Sequence, residues 1–282
     1  MSGHVLPLAG SNEPWAGGQV TVSAICVLAP NPSAWTLDGT NTWLLTAPGS
    51  DRAVVVDPGP DHAGHQDHTR RLADEHGVRI AHVLLTHGHI DHAEGARSFA
   101  EGLGVGVRAL DPHHRLGDEG LGDGDVIDVG DWSVHVVGTP GHSLDSVSFL
   151  LSHDASILTG DTVLGRGTSL VAWPDGRLGD YLDSLRRLRD LTDTAAVERL
   201  LPGHGPVLTS PGSVIDAYLA HRRARLEEVR SVVASGVTDA PQIVAIVYAD
   251  VPREVWPAAE LTVRAQLAYL RSTDLAPDVP AP

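Results

Sequence analysis

Residues 86–92 read Thr-His-Gly-His-Ile-Asp-His, a dense cluster of potential metal ligands. His87 and His89 alternate around a glycine, so both imidazoles can face one point, and Asp91 and His92 add an oxygen and a nitrogen donor beside it. With 16 histidines in 282 residues, this spacing arises by chance in fewer than roughly one chain in a hundred. The motif therefore predicts a metal site, since a hydrophobic core does not require such side chains to converge.

Three further ligand-type residues occur in similar settings later in the chain. His142 follows Val-Gly-Thr-Pro-Gly, Asp161 follows Leu-Thr-Gly, and His204 follows Leu-Leu-Pro-Gly. Each comes shortly after an apolar run that predicts a strand, and glycine allows a sharp turn there. Because sites in layered α/β folds gather at strand ends, we expect these three side chains to join the cluster at 86–92.

The apolar pattern divides the chain into two parts. Residues 1–211 predict an α/β (α+β) catalytic domain, because short β-branched runs alternate with turns and helical stretches. The predicted strands are 20–27, 42–46, 53–56, 80–85, 105–110, 132–137, 147–151, 155–158 and 199–201, and the predicted helices are 65–76, 94–101 and 179–191. Residues 212–282 predict an appended helical subdomain, with helices at 214–233, 240–248 and 258–271 and a disordered tail at 274–282.

Composition excludes several classes of protein. Hydrophobic residues make up 42% and charged residues 20%, as in soluble globular proteins, and no apolar run approaches the ~20 residues that span a bilayer. The formal charge of −16 opposes a sequence-independent grip on nucleic acid. The first residues lack the basic stretch and apolar segment of a secretory signal, so a cytoplasmic protein without membrane contact is expected.

The arginines and the single cysteine limit which other chemistries the chain can perform. All 20 basic residues are arginine, so no lysine can serve as a Schiff base or general base. The only cysteine, Cys26, lies in an apolar run and is expected to be a buried, inert thiol. A local basic run consists of Arg222, Arg223, Arg225 and Arg230, and Glu227 and Glu228 interrupt it. This pattern is typical of a solvated helix face with internal ion pairs, with a phosphate track as the alternative.

Five motifs, in this order, resemble those of the metallo-β-lactamase superfamily: Asp57 in Val-Val-Val-Asp-Pro-Gly, the stretch at 86–92, His142, Asp161 and His204. The resemblance spans about residues 20–208 and implies a four-layer αββα sandwich with two metal ions. It implies one metal on His87, His89 and His142, the other on Asp91, His92 and His204, and Asp161 as a bridge. Asp57 is similar to the aspartate that braces the metal loop, a role that outer carboxylates commonly have.

Asp161 narrows the resemblance. Typical zinc β-lactamases carry cysteine at this motif, which disfavours antibiotic hydrolysis as the natural role. The strings at 39–43, 160–165 and 201–207, together with His221 and Arg222, look like the β-lactamase-like protein 2 group, hydrolases that include a mitochondrial endoribonuclease. Members of that group end in a winged-helix-like subdomain, which the C-terminal helices resemble. The end of this chain departs from that pattern, because no two-stranded wing follows Leu270.

The motifs predict a metal-dependent hydrolase that uses a metal-bound hydroxide, with two Zn²⁺ ions as cofactors. Imidazole and carboxylate ligands suit zinc, and Fe or Mn are the alternatives. Asp91 and Asp161 are the predicted catalytic residues, Asp91 because it would orient the hydroxide and Asp161 because it would bridge the metals. Residues expected to contact substrate are Asn41, Arg166, Trp35 and Trp43. The histidines at 62, 65, 68, 113 and 114 lie in polar segments and are expected to be exposed.

Alternatives remain open at the level of the sequence. The substrate is either a small ester, thioester or lactone, or a single-stranded RNA phosphodiester, since two metals can activate water for both. An iron-dependent oxidoreductase of the same superfamily is a second class of function. A nucleic-acid-binding protein acting through the C-terminal helices is a third, although it leaves the metal ligands unexplained.

Overall fold

The computed structural model describes residues 13–273, and in this range the chain forms two β-sheets. The strands of the first sheet are β1 (Gly18–Gln19), β2 (Ala24–Leu28), β3 (Asn41–Leu45), β4 (Arg52–Val56), β5 (Arg79–Leu84) and β6 (Val107–Arg108). Those of the second are β7 (Val126–Asp128), β8 (Ser133–Gly138), β9 (Val147–Leu151), β10 (Ser156–Gly160), β11 (Arg199–Pro202) and β12 (Leu208–Thr209). Both sheets follow the chain in order, β1 to β6 in one and β12 back to β7 in the other.

Helices cover the outer face of each sheet. They are α1 (Ala63–Glu75), α2 (Ile90–Ala93), α3 (Ala96–Glu101), α4 (Leu178–Thr194), α5 (Pro211–Ala234), α6 (Ala240–Val247) and α7 (Trp256–Ser272). Short 3₁₀ turns occupy Pro112–His114, Ser152–Asp154 and Arg253–Val255. None of the helices within residues 13–273 is long and apolar enough to cross a bilayer.

Three layers of apolar side chains hold the sandwich together. Trp43 and Phe149 pack between the two sheets, Phe99 packs between the first sheet and its helices, and Leu185 of α4 packs against the second sheet. Every residue of β3 and β9 is buried, because both faces of each sheet are covered. The structure thus confirms the predicted αββα sandwich of the α/β (α+β) class.

Strand direction brings the predicted ligands to one edge of the molecule. β4 and β5 are parallel neighbours in the first sheet, and β10 and β11 are parallel neighbours in the second. Asp57 and residues 86–92 directly follow β4 and β5, and Asp161 and His204 follow β10 and β11. The carboxyl ends of parallel strands meet at one edge of a sheet, so four of the five motifs emerge there. His142 reaches the same edge from the loop after β8.

The C-terminal helices continue directly from the sandwich. Tyr218 of α5 belongs to the core that α4 shares with the second sheet, whereas Val229 of the same helix packs with Ile243 of α6 and Val263 of α7. Between Thr209 and residue 273 the described chain contains no strand. A domain boundary at residue 211 stays a prediction, and the predicted tail at 274–282 lies outside the described residues.

The structure differs from the sequence prediction in short elements and at two histidines, of which His114 is half-buried and His65 is buried. β7 and β12 are only three and two residues long, too short for an alternating pattern, and neither was expected. His65 was expected to be exposed but is 4% exposed, because α1 turns it towards β3, where its Nε2 lies 2.9 Å from Thr42 Oγ1. Burial, followed by the charges of His62 and His68, lowers the pKa of His65 to about 4.

Candidate metal centre

All seven predicted ligands converge on one cluster. His87 Nε2 and His142 Nε2 each lie 3.0 Å from His89 Nδ1. On the other side of the cluster, His92 Nε2 lies 3.2 Å from His204 Nε2. The ligand atoms fall into three overlapping sets that could each hold an ion: His87, His89 and His142; His87, His92 and Asp161; Asp91, His92 and His204.

Two carboxylates complete the cluster. Asp91 Oδ2 lies 3.1 Å from His204 Nε2 and 3.3 Å from His92 Nε2. Asp161 lies between the two groups of histidines, with Oδ2 3.3 Å from His204 Nε2 and 3.7 Å from His142 Nε2. Its other oxygen, Oδ1, is buried without a hydrogen-bond partner. A buried carboxylate oxygen without a donor is costly, so Asp161 Oδ1 fits a position that a cation would satisfy.

The outer nitrogens of three histidines are held by acceptors. Nδ1 of His142 donates to the Leu170 carbonyl at 2.8 Å, and Nδ1 of His204 donates to the Gly39 carbonyl at 3.2 Å. Nδ1 of His92 lies 2.9 Å from Asp57 Oδ2 and donates to it. In the neutral form of each ring, Nε2 therefore carries a lone pair that points into the cluster.

Thr86 fixes the fourth ring through its hydroxyl. Thr86 Oγ1 donates its only proton to Asp57 Oδ2 at 2.7 Å, so it can only accept from His87 Nδ1 at 3.0 Å. His87 Nε2 is consequently also without a proton. Asp57 Oδ1 accepts in addition from the Thr86 backbone N–H at 2.8 Å. Asp57, which is 1% exposed, thus orients His92 directly and His87 through Thr86.

These contacts show that the residues fit a divalent metal. Nitrogen lone pairs that face one another at 3.0–3.2 Å repel unless a proton or a cation lies between them. Imidazole nitrogens mixed with carboxylate oxygens are a donor set that suits Zn²⁺, Fe and Mn ions. The second nitrogen binds an acceptor in four of the five rings, those of His87, His92, His142 and His204, as is common in metal sites.

The pKa shifts within the cluster reflect the same demand for positive charge. Burial alone would lower the pKa of His204, but Asp161 and Asp91 offset it and raise this pKa to about 9. Burial likewise opposes protonation of His92, and Asp161, Asp57 and Asp91 outweigh it and raise the pKa of His92 well above its usual value. Burial and the neighbouring charges of His92 and His142 hold the pKa of His87 well below 6.5. Protons and metal ions therefore compete for the ligands on the carboxylate side.

The cluster forms the floor of a cavity of about 760 Å³. Two predicted substrate residues, Trp35 and Arg166, line this cavity. Trp35 is 59% exposed at its rim. Arg166 forms an ion pair with Asp38 and donates to the Glu13 carbonyl at 3.0 Å, so its guanidinium already has partners in the chain.

Asn41 and Trp43 were expected to face substrate, and the structure places them elsewhere. Asn41 is fully buried, and its amide nitrogen donates to the carbonyls of Pro202 and Gly205 at 2.9 Å each. Trp43 is 1% exposed and donates to the same Pro202 carbonyl at 3.1 Å. Both side chains tie β3 to the end of β11, and Asn41 also ties it to the loop that holds His204. They support the cluster from behind and do not line the cavity.

Sequence reasoning missed residues that act through close packing. Gly203 lies so near the cluster that a Cβ at this position would come within 2.4 Å of Asp161 Oδ1 and 2.8 Å of His92 Cε1. Ser169 is buried, and its hydroxyl lies 3.1 Å from His142 Nδ1. The string Pro-Gly-His at 202–204 indicated a turn, but only the folded structure shows which atoms the turn approaches.

Comparison with known proteins agrees with the motifs. Residues 35–204 match the Metallo-beta-lactamase superfamily, and residues 240–278 match the Beta-lactamase associated winged helix domain. The "Beta-lactamase-like protein 2 homolog" of Drosophila melanogaster is 30% identical over 275 residues, which cover 89% of each chain. The "Atrochrysone carboxyl ACP thioesterase" of Aspergillus fumigatus is 36% identical over 207 residues, which cover 72% of this chain and 62% of that protein.

A solved structure shows the same fold over nearly the whole chain. A beta-lactamase domain protein from Burkholderia ambifaria superposes with a TM-score of 0.77 at 25% identity, covering 95% of this chain and 91% of that chain. The match at 240–278 confirms the predicted winged-helix-like character of the C-terminal subdomain. With a family model that covers 35–204 and a relative aligned over 89% of both chains, the protein belongs to the metallo-β-lactamase superfamily and is related to the β-lactamase-like protein 2 homologues.

Proposed function

We propose that this chain is a hydrolase of small esters or thioesters that works with two zinc ions. The observation that carries the proposal is the convergence of seven imidazole and carboxylate ligands on the floor of a cavity of about 760 Å³. His87, His89 and His142 would hold one ion, and Asp91, His92 and His204 the other. Asp161 would bridge them, because its two oxygens face different histidines. Zinc bound there supplies Lewis-acid polarisation and lowers the pKa of a water molecule.

The chain's own residues would position the reactants. Asp91 accepts from Thr40 Oγ1 at 3.2 Å and keeps a quarter of its side chain exposed to the cavity, so it can orient an attacking water. Burial would raise the pKa of Asp91, but His92 and His204 outweigh this and lower it well below 3.8, so the carboxylate stays ionised at neutral pH. Asp57 and Thr86 hold the rings of His92 and His87 in the orientation that presents Nε2 to the cluster.

The cavity supports a small substrate over an RNA strand. Its walls include Val251 and Val255 from the connection between α6 and α7, Ala258 and Ala259 from α7, and Trp35 from the loop before β3. Apolar walls of this kind suit an acyl group better than a phosphodiester backbone. The formal charge of −16 also weakens the attraction that drives RNA association. A relative whose name describes an acyl-carrier thioesterase supports the same direction.

The test combines metal analysis with a substrate panel. Elemental analysis of protein purified without added metal is expected to give two zinc per chain. The panel contains a 4-nitrophenyl ester, S-lactoylglutathione, a lactone, nitrocefin, a bis-aryl phosphodiester and a single-stranded RNA. We expect metal-dependent turnover of the esters or thioesters, and its loss in His142→Ala and Asp161→Asn. Asp183→Asn, an exposed residue on α4 that pairs with Arg186, is the matched control.

The alternatives give distinct results in the same experiment. Metal-dependent cleavage confined to RNA would identify a nuclease and contradict the ester proposal. Stoichiometric iron with a visible spectrum and oxygen consumption would identify an oxidoreductase instead. Binding of RNA that persists after chelation, without turnover of any substrate, would identify a nucleic-acid-binding protein. Full ester turnover in Asp161→Asn would refute the bridging role of that residue.

A further inference from the structure

Helix α5 presents a polar face to the cavity above the metal cluster. His221, Arg222 and Arg225 line the cavity, and Tyr218 lies on the same face of the helix at spacings of three, four and seven residues. Tyr218 fixes the neighbouring loop, because its hydroxyl bonds both the Leu164 N–H at 2.9 Å and the Gly167 carbonyl at 3.1 Å. The polar face is therefore held in a fixed position relative to the loop that follows Asp161.

Arg222 is the unusual member of this face. It is 5% exposed, and within residues 13–273 its guanidinium forms no ion pair with a carboxylate. One guanidinium nitrogen donates to the Ser169 carbonyl, the guanidinium lies 5.0 Å from the centroid of the Tyr181 ring, and Nε is buried without a partner. The sequence suggested a solvated helix face here, and the structure overturns that prediction for Arg222, which is buried, and in part for Arg225, whose side chain is only 17% exposed.

The other arginines of the run form the predicted ion pairs or are exposed. Arg225 pairs with Glu228 at 2.8 Å and Arg230 pairs with Glu227, so their charges are neutralised within α5. Arg223 is exposed. His221 carries no charge at neutral pH, because burial and the charges of Arg222 and Arg225 lower its pKa to about 4. Arg222 is thus the cation of this face that lines the cavity without an acidic partner in the described residues.

A guanidinium is a cation, and a cation that is buried without a carboxylate or phosphate partner is destabilising. Its planar fork matches the paired oxygens of a carboxylate or phosphate. We propose that Arg222 binds an anionic group of the substrate, a carboxylate or a phosphate, at the α5 end of the cavity. This inference rests on the proposed function, because it names the kind of ester that the cavity accepts: an acyl substrate that carries a negative charge away from the scissile bond.

The test compares esters that differ only in the charge at the end of the acyl chain. The neutral substrates are 4-nitrophenyl hexanoate and octanoate, the carboxylate substrates are the mono-4-nitrophenyl esters of adipate and suberate, and the phosphonate substrate is the 4-nitrophenyl ester of 5-phosphonopentanoate. We expect the wild-type enzyme to prefer an anionic ester in kcat/KM, and Arg222→Gln to reduce the ratio of anionic to neutral kcat/KM by about 10- to 100-fold. The carboxylate and phosphonate arms distinguish the two sources of the anion.

Controls separate recognition from structural support. Arg223→Gln removes the same charge from an exposed neighbour and is expected to change the ratio less than twofold. Arg222→Lys keeps the charge without the fork and is expected to retain part of the preference. A merely structural role, through the Ser169 carbonyl beside His142, would lower zinc content and both kinds of turnover equally, and would leave the ratio unchanged.

Binding provides a readout that does not depend on turnover. Adipate and 5-phosphonopentanoate are titrated calorimetrically into zinc-loaded wild type and Arg222→Gln. Tighter binding of at least one anion by wild type is expected even if no ester is hydrolysed, in which case the proposed function fails and the anion site stands. A wild-type enzyme that hydrolyses neutral and anionic esters equally, or equal anion binding by both proteins, would overturn the role of Arg222 while leaving the hydrolase proposal in place.

Discussion

Thr86→Val tests whether the hydroxyl of Thr86 sets the protonation pattern of the metal cluster. Thr86 is 2% exposed, donates to Asp57 Oδ2 at 2.7 Å and accepts from His87 Nδ1 at 3.0 Å. Valine fills nearly the same volume but offers neither function. The substitution therefore leaves His87 Nδ1 with its proton and no acceptor, or lets the proton move to Nε2, where it blocks the ligand position.

The magnitude follows from the two bonds that are lost. A buried donor without an acceptor costs about 1–3 kcal/mol, and the bond to a carboxylate contributes about 1.5–3 kcal/mol, part of which His92 Nδ1 and the Thr86 N–H retain for Asp57. We expect the free energy of unfolding to fall by about 2–4 kcal/mol, which lowers the melting temperature by roughly 4–16 °C. Zinc affinity is expected to fall by about 10- to 100-fold, as for other residues that orient metal ligands.

Thermal unfolding of metal-free and zinc-loaded protein measures the change in stability, and competition with a chromophoric chelator measures the change in zinc affinity. The matched control is Thr69→Val, because Thr69 is 1% exposed and its hydroxyl bonds only the His65 carbonyl within α1. A Thr86→Val protein whose zinc affinity equals that of Thr69→Val would refute the proposed control of the His87 tautomer.

Three further changes test other parts of the structure. His65 has its pKa lowered to about 4 by burial and by His62 and His68, so the unfolded chain binds the extra proton and stability falls as the pH drops below 6.5. Chemical denaturation at pH 7 and pH 5 measures how far the free energy of unfolding falls between these two pH values. This fall is expected to be about 2 kcal/mol smaller in His65→Gln than in wild type, and equal falls would contradict the prediction. Gly203→Ala places a Cβ 2.4 Å from Asp161 Oδ1 and should reduce the zinc content measured by elemental analysis. Gly64→Ala in α1 is the control and should leave the zinc content unchanged. Normal zinc content in Gly203→Ala would contradict the inference that the cluster has no room for a side chain at residue 203. Trp35→Ala should raise KM for the best ester about tenfold, because Trp35 is 59% exposed at the cavity rim. Its melting temperature should stay within about 2 °C of that of wild type. An unchanged KM would show that Trp35 does not contact substrate.

The sequence by itself determined the seven candidate metal ligands and the layered fold. His87, His89, Asp91 and His92 lie within six consecutive residues, which keeps their side chains close to one another along the chain. The short apolar run at 42–46, bounded by threonines, is typical of a strand buried on both faces, and β3 is fully buried. These features depend on residues a few positions apart in the chain, so they can be predicted from a single sequence.

Only the tertiary structure decided which other polar residues serve the site. The sequence places Asn41 at the start of a strand whether or not it contacts substrate. Its burial against the Pro202 and Gly205 carbonyls depends on how the two sheets meet. Arg222 looks like its neighbours in the basic run, and it differs because α5 packs its face against α4 and the loop at 161–170. Residues distant in the chain create these environments, so burial and charge compensation follow from the packed fold and not from the spacing of the residues.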